Sequence, residues 1–382
     1  MHIRSLVALL LALTLVVGMS GCLPSGEPSP DFSGEAVASA DGSPVKHYFE
    51  QLDNTEKHAY NAILSQVRGF PERIVVPELT NDQLNRLYKA LLYDNPELFF
   101  LDRYSTVRQT KKTSYFYPRY RMGQPDYEAM LQKCVEVADK ITEEVRQQKS
   151  TFDKELLVHD KLIAMCRYSE NTAYMYRNTI YGVLCGNNAT CEGYARTAKY
   201  LLDRLGVPCY VVSGQSSPPG STAQSHMWNI VEVDGASYHL DLTWDDPVLE
   251  SGVNLIQYTY FNVTDSAISL THTGFADTDA CTAIEANYFV HEHLLFADWG
   301  DAERERAVDI AVESIEKGSE GFQLRFGNET AFAKAKQALF GDNEVYRILQ
   351  KVKENNDMPY AADRASYVFD NDNHIIDVIL EK

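Results

Sequence analysis

Three short segments between Gly182 and Pro247 carry a cysteine, a histidine and an aspartate in that order along the chain. The segments are Ala189-Thr-Cys-Glu-Gly-Tyr-Ala195, Ser225-His-Met-Trp-Asn229 and Tyr238-His-Leu-Asp-Leu-Thr-Trp-Asp-Asp-Pro247. A thiol nucleophile needs a base that takes its proton and a third group that holds the base in one tautomer. Cys191, His226 and Asp241 therefore predict covalent acyl chemistry.

The cysteine lies where a helix is expected to begin. Thr190 is suited to the N-cap position of a helix from Cys191 to about Leu205, and Gly206 is suited to end it. The free N–H groups and the dipole of a helix N-terminus favour an anion. A thiolate at Cys191 would be stabilised there.

The histidine and the aspartate belong to a predicted β-hairpin. Strands over 226–233 and 236–243 are joined at Asp234-Gly235, a strong hairpin signal. With this two-residue turn, Trp228 faces Asp241, and His226 becomes a diagonal neighbour of Asp241 on the more polar face, about 7–8 Å away at the backbone. The other face is mostly apolar and suited to a core.

Together these segments look like the core of the bacterial transglutaminase-like superfamily. The resemblance spans roughly residues 152–287, and it also includes Tyr181-Gly-Val-Leu184 and Leu201-Leu-Asp-Arg-Leu-Gly-Val207. It implies an α+β fold with a papain-like core, in which the cysteine opens a helix and the histidine and aspartate lie on adjacent strands. Met227 and Leu242 depart from the residues common in the family, but both fall on the apolar face of the hairpin.

The resemblance also implies a role for each residue of the triad. Cys191 would form a thioester with a glutamine or peptide carbonyl, His226 would act as the base, and Asp241 would orient His226. His239 or Asn229 is the alternative orienting group. The backbone N–H of Cys191 is one expected oxyanion donor, and the second donor stays open.

The first residues of the chain read as an export signal. A basic start is followed by the apolar run 6–17, which is too short to span a bilayer, and then by Gly18-Met-Ser-Gly-Cys22. The last four of these residues resemble the lipobox of bacterial lipoproteins, with Met19 in place of the usual leucine. We expect Cys22 to be lipidated and the protein to be anchored to the outer face of the bacterial cell membrane.

The composition excludes some classes of partner. Thirty-five basic residues against 54 acidic ones give a formal net charge of −19, which would repel nucleic acid and anionic lipid surfaces. Six cysteines follow Cys22, without a C-x-x-C pair, and His291-Glu292-His293 lacks the spacing of a helical zinc motif. No metal or other cofactor is predicted, and the expected partner is a protein or peptide substrate.

The chain divides into five predicted parts, which are a signal peptide over 1–21, a flexible tether over 22–45, a mainly helical domain over 46–150, the catalytic core over 151–299 and a small α/β module over 300–382. The helical domain is predicted to serve packing or to recognise substrate through exposed tyrosines.

Two classes of function remain open at this point. One is a lipid-anchored acyl-transfer enzyme, either a transglutaminase or a cysteine peptidase or amidase. The other is an idle module on the same scaffold that binds cell-wall material or a surface protein.

Overall fold

The predicted hairpin lies in the middle of a four-stranded antiparallel sheet with the order β8-β7-β6-β9. Its strands are β6 (Cys209–Ser216), β7 (Gln224–Val233), β8 (Ala236–Leu240) and β9 (His272–Thr273). Asp234 and Gly235 both have positive φ, at 51° and 82°, as a tight hairpin turn requires. The predicted register is confirmed, because Val233 pairs with Ala236 and Asn229 with Leu240.

The computed structural model describes residues 32, 34, 46–109, 114–218, 221–247, 255–275, 277–355 and 359–381. Cys22, the predicted signal peptide and nearly all of the predicted tether lie outside these residues. None of the helices within the described ranges is both long and apolar enough to cross a bilayer.

Helices surround the sheet and supply much of its core. Those that precede it are α1 (His47–Glu50), α2 (Asn54–Gln66), α3 (Asn81–Tyr93), α4 (Gln124–Val145), α5 (Thr151–Met165), α6 (Ile180–Leu184) and α7 (Cys191–Arg204). The helix α7 packs across β6 and β7, and α5 packs on α7. Apolar side chains from both sides of residue 150 share one core, so the boundary proposed there stays a prediction.

The region before residue 150 also contains strands, although its pattern reads as mainly helical. β1 (Ile74–Val76), β2 (Thr106–Gln109) and β3 (Ser114–Tyr117) form an antiparallel sheet with the order β1-β3-β2. β1 and β2 are three and four residues long, too short for an alternating pattern to stand out, whereas the segment 114–120 does read as strand-like in the sequence. A parallel pair of two-residue strands, β4 (Arg167–Tyr168) and β5 (Asn188–Ala189), leads into α7.

The C-terminal part has its own sheet and its own core. Its strands are β10 (Leu295–Phe296), β11 (Gly321–Phe326), β12 (Ala365–Asp370) and β13 (Ile375–Leu380), in the order β10-β11-β13-β12. The remaining helices are α8 (Asp265–Ile268), α9 (Tyr288–His291), α10 (Asp301–Glu316), α11 (Glu329–Lys336) and α12 (Glu344–Asn355). The chain is therefore α+β, as predicted.

One extended segment, 255–260, connects the C-terminal module to the central sheet. Ile256 N–H donates to Ser319 Oγ at 3.1 Å, and Tyr258 N–H donates to Gln323 Oε1 at 2.7 Å. On the other side of the segment, Asp241 N–H donates to the Tyr260 carbonyl at 3.1 Å. The module thus supports the backbone that lies next to the predicted orienting aspartate.

The turn after β8 is fixed by the carboxylates of two residues, Asp245 and Asp246. Asp245 is fully buried, accepts Tyr260 N–H at 2.9 Å and lies 3.3 Å from His159 Nε2 on α5. Asp246 accepts the Tyr194 hydroxyl of α7 at 2.6 Å and Tyr168 N–H at 3.1 Å. The turn is therefore tied to α5, α7 and β4.

We predict that His159→Leu destabilises the protein in a pH-dependent way. Burial lowers the pKa of His159, but Asp160 and Asp245 outweigh burial and raise that pKa to about 9. A raised folded-state pKa contributes stability below the unfolded value of about 6.5, and this stability is lost as the pH rises through about 9. At pH 7 the variant should lose about 3 kcal/mol, because Asp245 would be left without its cationic partner.

Urea unfolding of wild type and variant at pH 7 and pH 10 measures this effect. The exposed residue His291 provides the control, since H291L should change the free energy of unfolding by only about 0.5 kcal/mol. An equal loss for H159L at both pH values would contradict the assigned charge pair.

Candidate active site

Cys191 is the first residue of α7, as predicted, and its side chain is partly exposed. Thr190 occupies the N-cap position with extended backbone, but its hydroxyl makes no capping hydrogen bond. The predicted N-cap position is confirmed. The start of the helix is held instead by backbone contacts, because Thr190 N–H donates to the Arg177 carbonyl at 2.9 Å.

The segment before α7 approaches the helix closely at Gly193. A Cβ atom at this position would lie 2.2 Å from the Arg177 carbonyl oxygen, so only glycine fits without movement of the backbone. The neighbouring Glu192 is paired with Arg103 at 2.8 Å and with Arg196 at 3.0 Å. Together these contacts explain the residues Glu192 and Gly193 after the cysteine and fix the direction in which α7 begins.

His226 and Asp241 are in direct contact. The two atoms His226 Nε2 and Asp241 Oδ2 are 2.6 Å apart, and since an ionised carboxylate only accepts, Nε2 is the donor. Both residues are buried. The predicted pairing of these two side chains is therefore present in the structure.

The Asp241 carboxylate accepts four hydrogen bonds. Oδ1 accepts the N–H groups of Thr243 at 2.9 Å and Trp244 at 3.3 Å, while Oδ2 accepts His226 and also His272, whose Nε2 is 3.0 Å away. Burial would raise the pKa of Asp241, but His226 and His272 hold it well below its usual range. The carboxylate is therefore ionised and held in one orientation.

The thiol lies against the other nitrogen of the imidazole. Cys191 forms a hydrogen bond with His226, and because Nε2 is bonded to Asp241, Nδ1 is the atom left for the thiol. Burial lowers the pKa of His226, but Asp241 and Cys191 outweigh burial and raise that pKa to about 10. At neutral pH the imidazole therefore carries a proton beside the sulfur. The structure brings all three predicted residues together.

The hairpin differs from the prediction in two respects. β8 ends at Leu240, so Asp241 lies just beyond the strand and reaches His226 from the start of the turn. The more polar face is also covered rather than solvated. Trp228 and Ile230 pack there with Tyr210, Val212 and Cys281, and Phe275 packs over the same group. The covering residues belong to 265–275 and 277–281, where the sequence has no long periodic pattern from which this cover could be predicted.

His272 is the residue of this site that the sequence analysis missed. It is fully buried on β9, a strand of only two residues inside a region that reads as a loop. The pairing of Ser216 with His272 at the edge of the sheet brings it to Asp241. A two-residue strand has no detectable alternation, so the sequence offered no signal for it.

Neither of the two alternative orienting groups, His239 and Asn229, has a described hydrogen bond to His226. His239 Nδ1 accepts Trp228 Nε1–H at 2.9 Å, and its Nε2 lies 2.9 Å from Asp265 Oδ1. Asn229 donates to the Ala195 carbonyl at 2.9 Å and thus joins β7 to α7. Among the three candidates, Asp241 is the one bonded to the imidazole.

Two groups of side chains bring potential metal ligands within 4.8 Å of one another, namely His226, Asp241 and His272, and His239, Asp265 and Cys281. In the second group, Trp228 donates to His239 Nδ1, so a neutral His239 carries its proton on Nε2, which faces Asp265. A metal ion would need the lone pair of that nitrogen. In the first group both histidines are hydrogen-bonded to Asp241, and in the second the Cys281 thiol donates to the Asp279 carbonyl at 3.5 Å.

Comparison with known proteins gives one match to a family. Residues 136–242 match the model of the transglutaminase-like superfamily. No curated protein matches the chain.

Two solved structures show limited likeness. A TGase crystal structure is 17% identical with a TM-score of 0.27, over 45% of this chain and 50% of that chain. A candidate cysteine protease from Cytophaga hutchinsonii is 13% identical with a TM-score of 0.22, over 28% of this chain and 37% of that chain. This chain thus spans half or less of either structure, and TM-scores this low support no conclusion about its fold or function.

The family match includes the helix that begins at Cys191 and the hairpin that carries His226 and Asp241. The segment 136–242 is thus similar to the transglutaminase-like superfamily.

Proposed function

We propose that this protein is a thiol acyl-transfer enzyme that acts on protein or peptide amides through Cys191, His226 and Asp241. The observation that carries the proposal is the contact of the His226 imidazole with the Cys191 thiol on one side and with the buried Asp241 carboxylate on the other. This is the arrangement that activates a sulfur nucleophile and returns a proton to a leaving group.

In the first half of the proposed reaction, the Cys191 sulfur attacks the amide carbonyl carbon. His226 takes the thiol proton, and the raised pKa of its imidazole favours keeping that proton at neutral pH. The N–H of Cys191, in the first turn of α7, is suited to donate to the developing oxyanion. His226 then gives its proton to the departing amine, the C–N bond breaks and a thioester remains.

In the second half, an amine or a water molecule attacks the thioester. His226 takes the proton of the attacking group, the C–S bond breaks and the sulfur leaves as thiolate. Attack by an amine gives a new amide, and attack by water gives an acid. The two outcomes distinguish a transglutaminase from a peptidase or amidase, and they are compared by offering a glutamine-containing protein with and without a labelled primary amine.

We also propose that the enzyme acts outside the cytoplasm, attached to the bacterial cell membrane through lipid on Cys22. The support is the sequence of residues 1–22, which has the basic start, the apolar run and the lipobox-like end of a lipoprotein signal. Metabolic labelling with a fatty acid tests this, since the label should be incorporated by the wild type and not by C22S.

We predict that iodoacetamide at pH 6 labels Cys191 at least about tenfold faster than the other described cysteines. Burial raises the pKa of the Cys134, Cys166, Cys185, Cys209 and Cys281 thiols, which makes them poor nucleophiles at this pH. Cys191, unlike these five thiols, lies against a protonated imidazole. Mass spectrometry of protein lacking residues 1–22 locates the adducts.

The fast labelling should disappear in H226A. H239A is the matched control, because His239 is an equally buried histidine of the same hairpin and is bonded to Asp265 instead. Slow and uniform labelling of the wild type would favour the alternative of an idle binding module.

We predict that D241N lowers turnover by up to about 10⁴-fold while the protein remains folded. The amide would stabilise the imidazolium less and would no longer select the tautomer with a proton on Nε2. Turnover is measured for whichever of the two reactions the wild type performs. D265N changes the carboxylate of the other histidine pair and should leave turnover near that of wild type, whereas unchanged turnover in D241N would remove Asp241 from the triad.

A further inference from the structure

The carboxylate of Asp241 has a second histidine partner on the side away from Cys191. His272 Nε2 lies 3.0 Å from Asp241 Oδ2, the same oxygen that His226 Nε2 approaches at 2.6 Å. Two N–H donors on one oxygen are a specific arrangement, and neither nitrogen is exposed, because both rings are buried. Nothing in a triad of cysteine, histidine and aspartate requires the second donor.

The protons around His272 can be assigned from its neighbours. The ionised Asp241 can only accept, so His272 Nε2 carries a proton, and a neutral His272 then accepts at Nδ1. Thr271 Oγ1 lies 2.8 Å from that Nδ1, and the Tyr260 hydroxyl lies 3.3 Å from Thr271 Oγ1. A consistent series of donors runs from Tyr260 through Thr271 and His272 to Asp241.

The close approach of two strands at the edge of the sheet positions His272. β9 pairs with β6 next to Gly214, where a Cβ atom would lie 2.4 Å from the Thr273 carbonyl oxygen and 2.8 Å from the Trp228 ring. Glycine therefore lets the edge strand come close enough for His272 to reach Asp241. The His272 ring packs edge-to-face against Trp228 at 5.0 Å between ring centroids and at a tilt against Trp244 at 4.9 Å, which holds its plane.

We propose that His272 is a positioning residue, which donates a second hydrogen bond to Asp241 Oδ2 and so fixes the carboxylate that orients His226. By sharing this oxygen, His272 also moderates the attraction of Asp241 for the proton on His226. The proposal rests on the proposed function and adds to it a fourth residue that acts through Asp241 rather than on the substrate.

Few other titratable groups among the described residues lie near His226, His272 and the carboxylate that they share. Cys191 lies against His226, Tyr260 is near His272 at 5.6 Å between rings, and His239 and Asp245 interact by charge with His272 and Asp241. A substitution of His272 should therefore act most directly on the pKa of His226, because both histidines are bonded to the same oxygen of Asp241.

We predict that H272L raises the pKa of the His226 imidazole by roughly one unit and lowers turnover by up to about 10²-fold. Without the second donor, Asp241 attracts the His226 proton more strongly, and the carboxylate is free to turn. NMR titration of ¹⁵N-labelled histidines measures the pKa, and it requires no substrate. If H272L does not fold, H272N replaces it, because the shorter amide does not reach Asp241.

H272Q is the decisive companion variant. The side-chain amide of glutamine can place an N–H near the position of the histidine Nε2, so H272Q should return both the His226 pKa and turnover towards wild type. A role in packing alone would impair H272L and H272Q alike and leave the His226 pKa unchanged in both. That result would overturn the proposal.

The control is H239L, which removes an equally buried histidine whose partners are Trp228 and Asp265. It should lower the thermal stability and move the His226 pKa by much less than H272L does. Failure of the proposed function would appear separately, as slow labelling of Cys191 in the wild type. The His226 titration would still decide the role of His272 in that case.

Discussion

The buried carboxylate of Asp241 and the four N–H groups that it accepts determine the geometry of the whole site. Removal of a carboxylate from water costs several kcal/mol, and this cost is offset only when its lone pairs are used. Charge-assisted hydrogen bonds from two backbone N–H groups and two imidazoles use them all here. His226 is held in one tautomer as a result, with its free nitrogen directed to the sulfur.

The position of this carboxylate depends on the position of the turn that carries it. Asp245 and Asp246 follow it within one turn of chain and bind α5 through His159 and α7 through Tyr194. The helix that presents Cys191 and the turn that presents Asp241 are thus joined directly by the Tyr194–Asp246 hydrogen bond of 2.6 Å. The distance between Cys191 and Asp241 does not depend on the long path through the sheet.

Much of the geometry of this site could be predicted from the sequence, because it follows from local sequence patterns. Asp234-Gly235 determines the hairpin register, the register brings His226 and Asp241 together, and the segment before Gly206 reads as a helix beginning at Cys191. His272, the burial of Asp245 and Asp246, and the cover over Trp228 could not be predicted. Each depends on contacts between residues far apart in sequence, made by single residues or irregular segments whose pattern carries no period.

The C-terminal module looks separable in the sequence, yet Ser319 and Gln323 hold the extended segment whose Tyr260 carbonyl accepts Asp241 N–H. In evolutionary terms the module is not an interchangeable accessory. A lineage that lost the module or replaced it by recombination would also have to replace the contacts that hold the backbone next to Asp241. Inheritance of the two parts should therefore be linked, and substitutions at Ser319 or Gln323 should be constrained by selection on a site that neither residue touches.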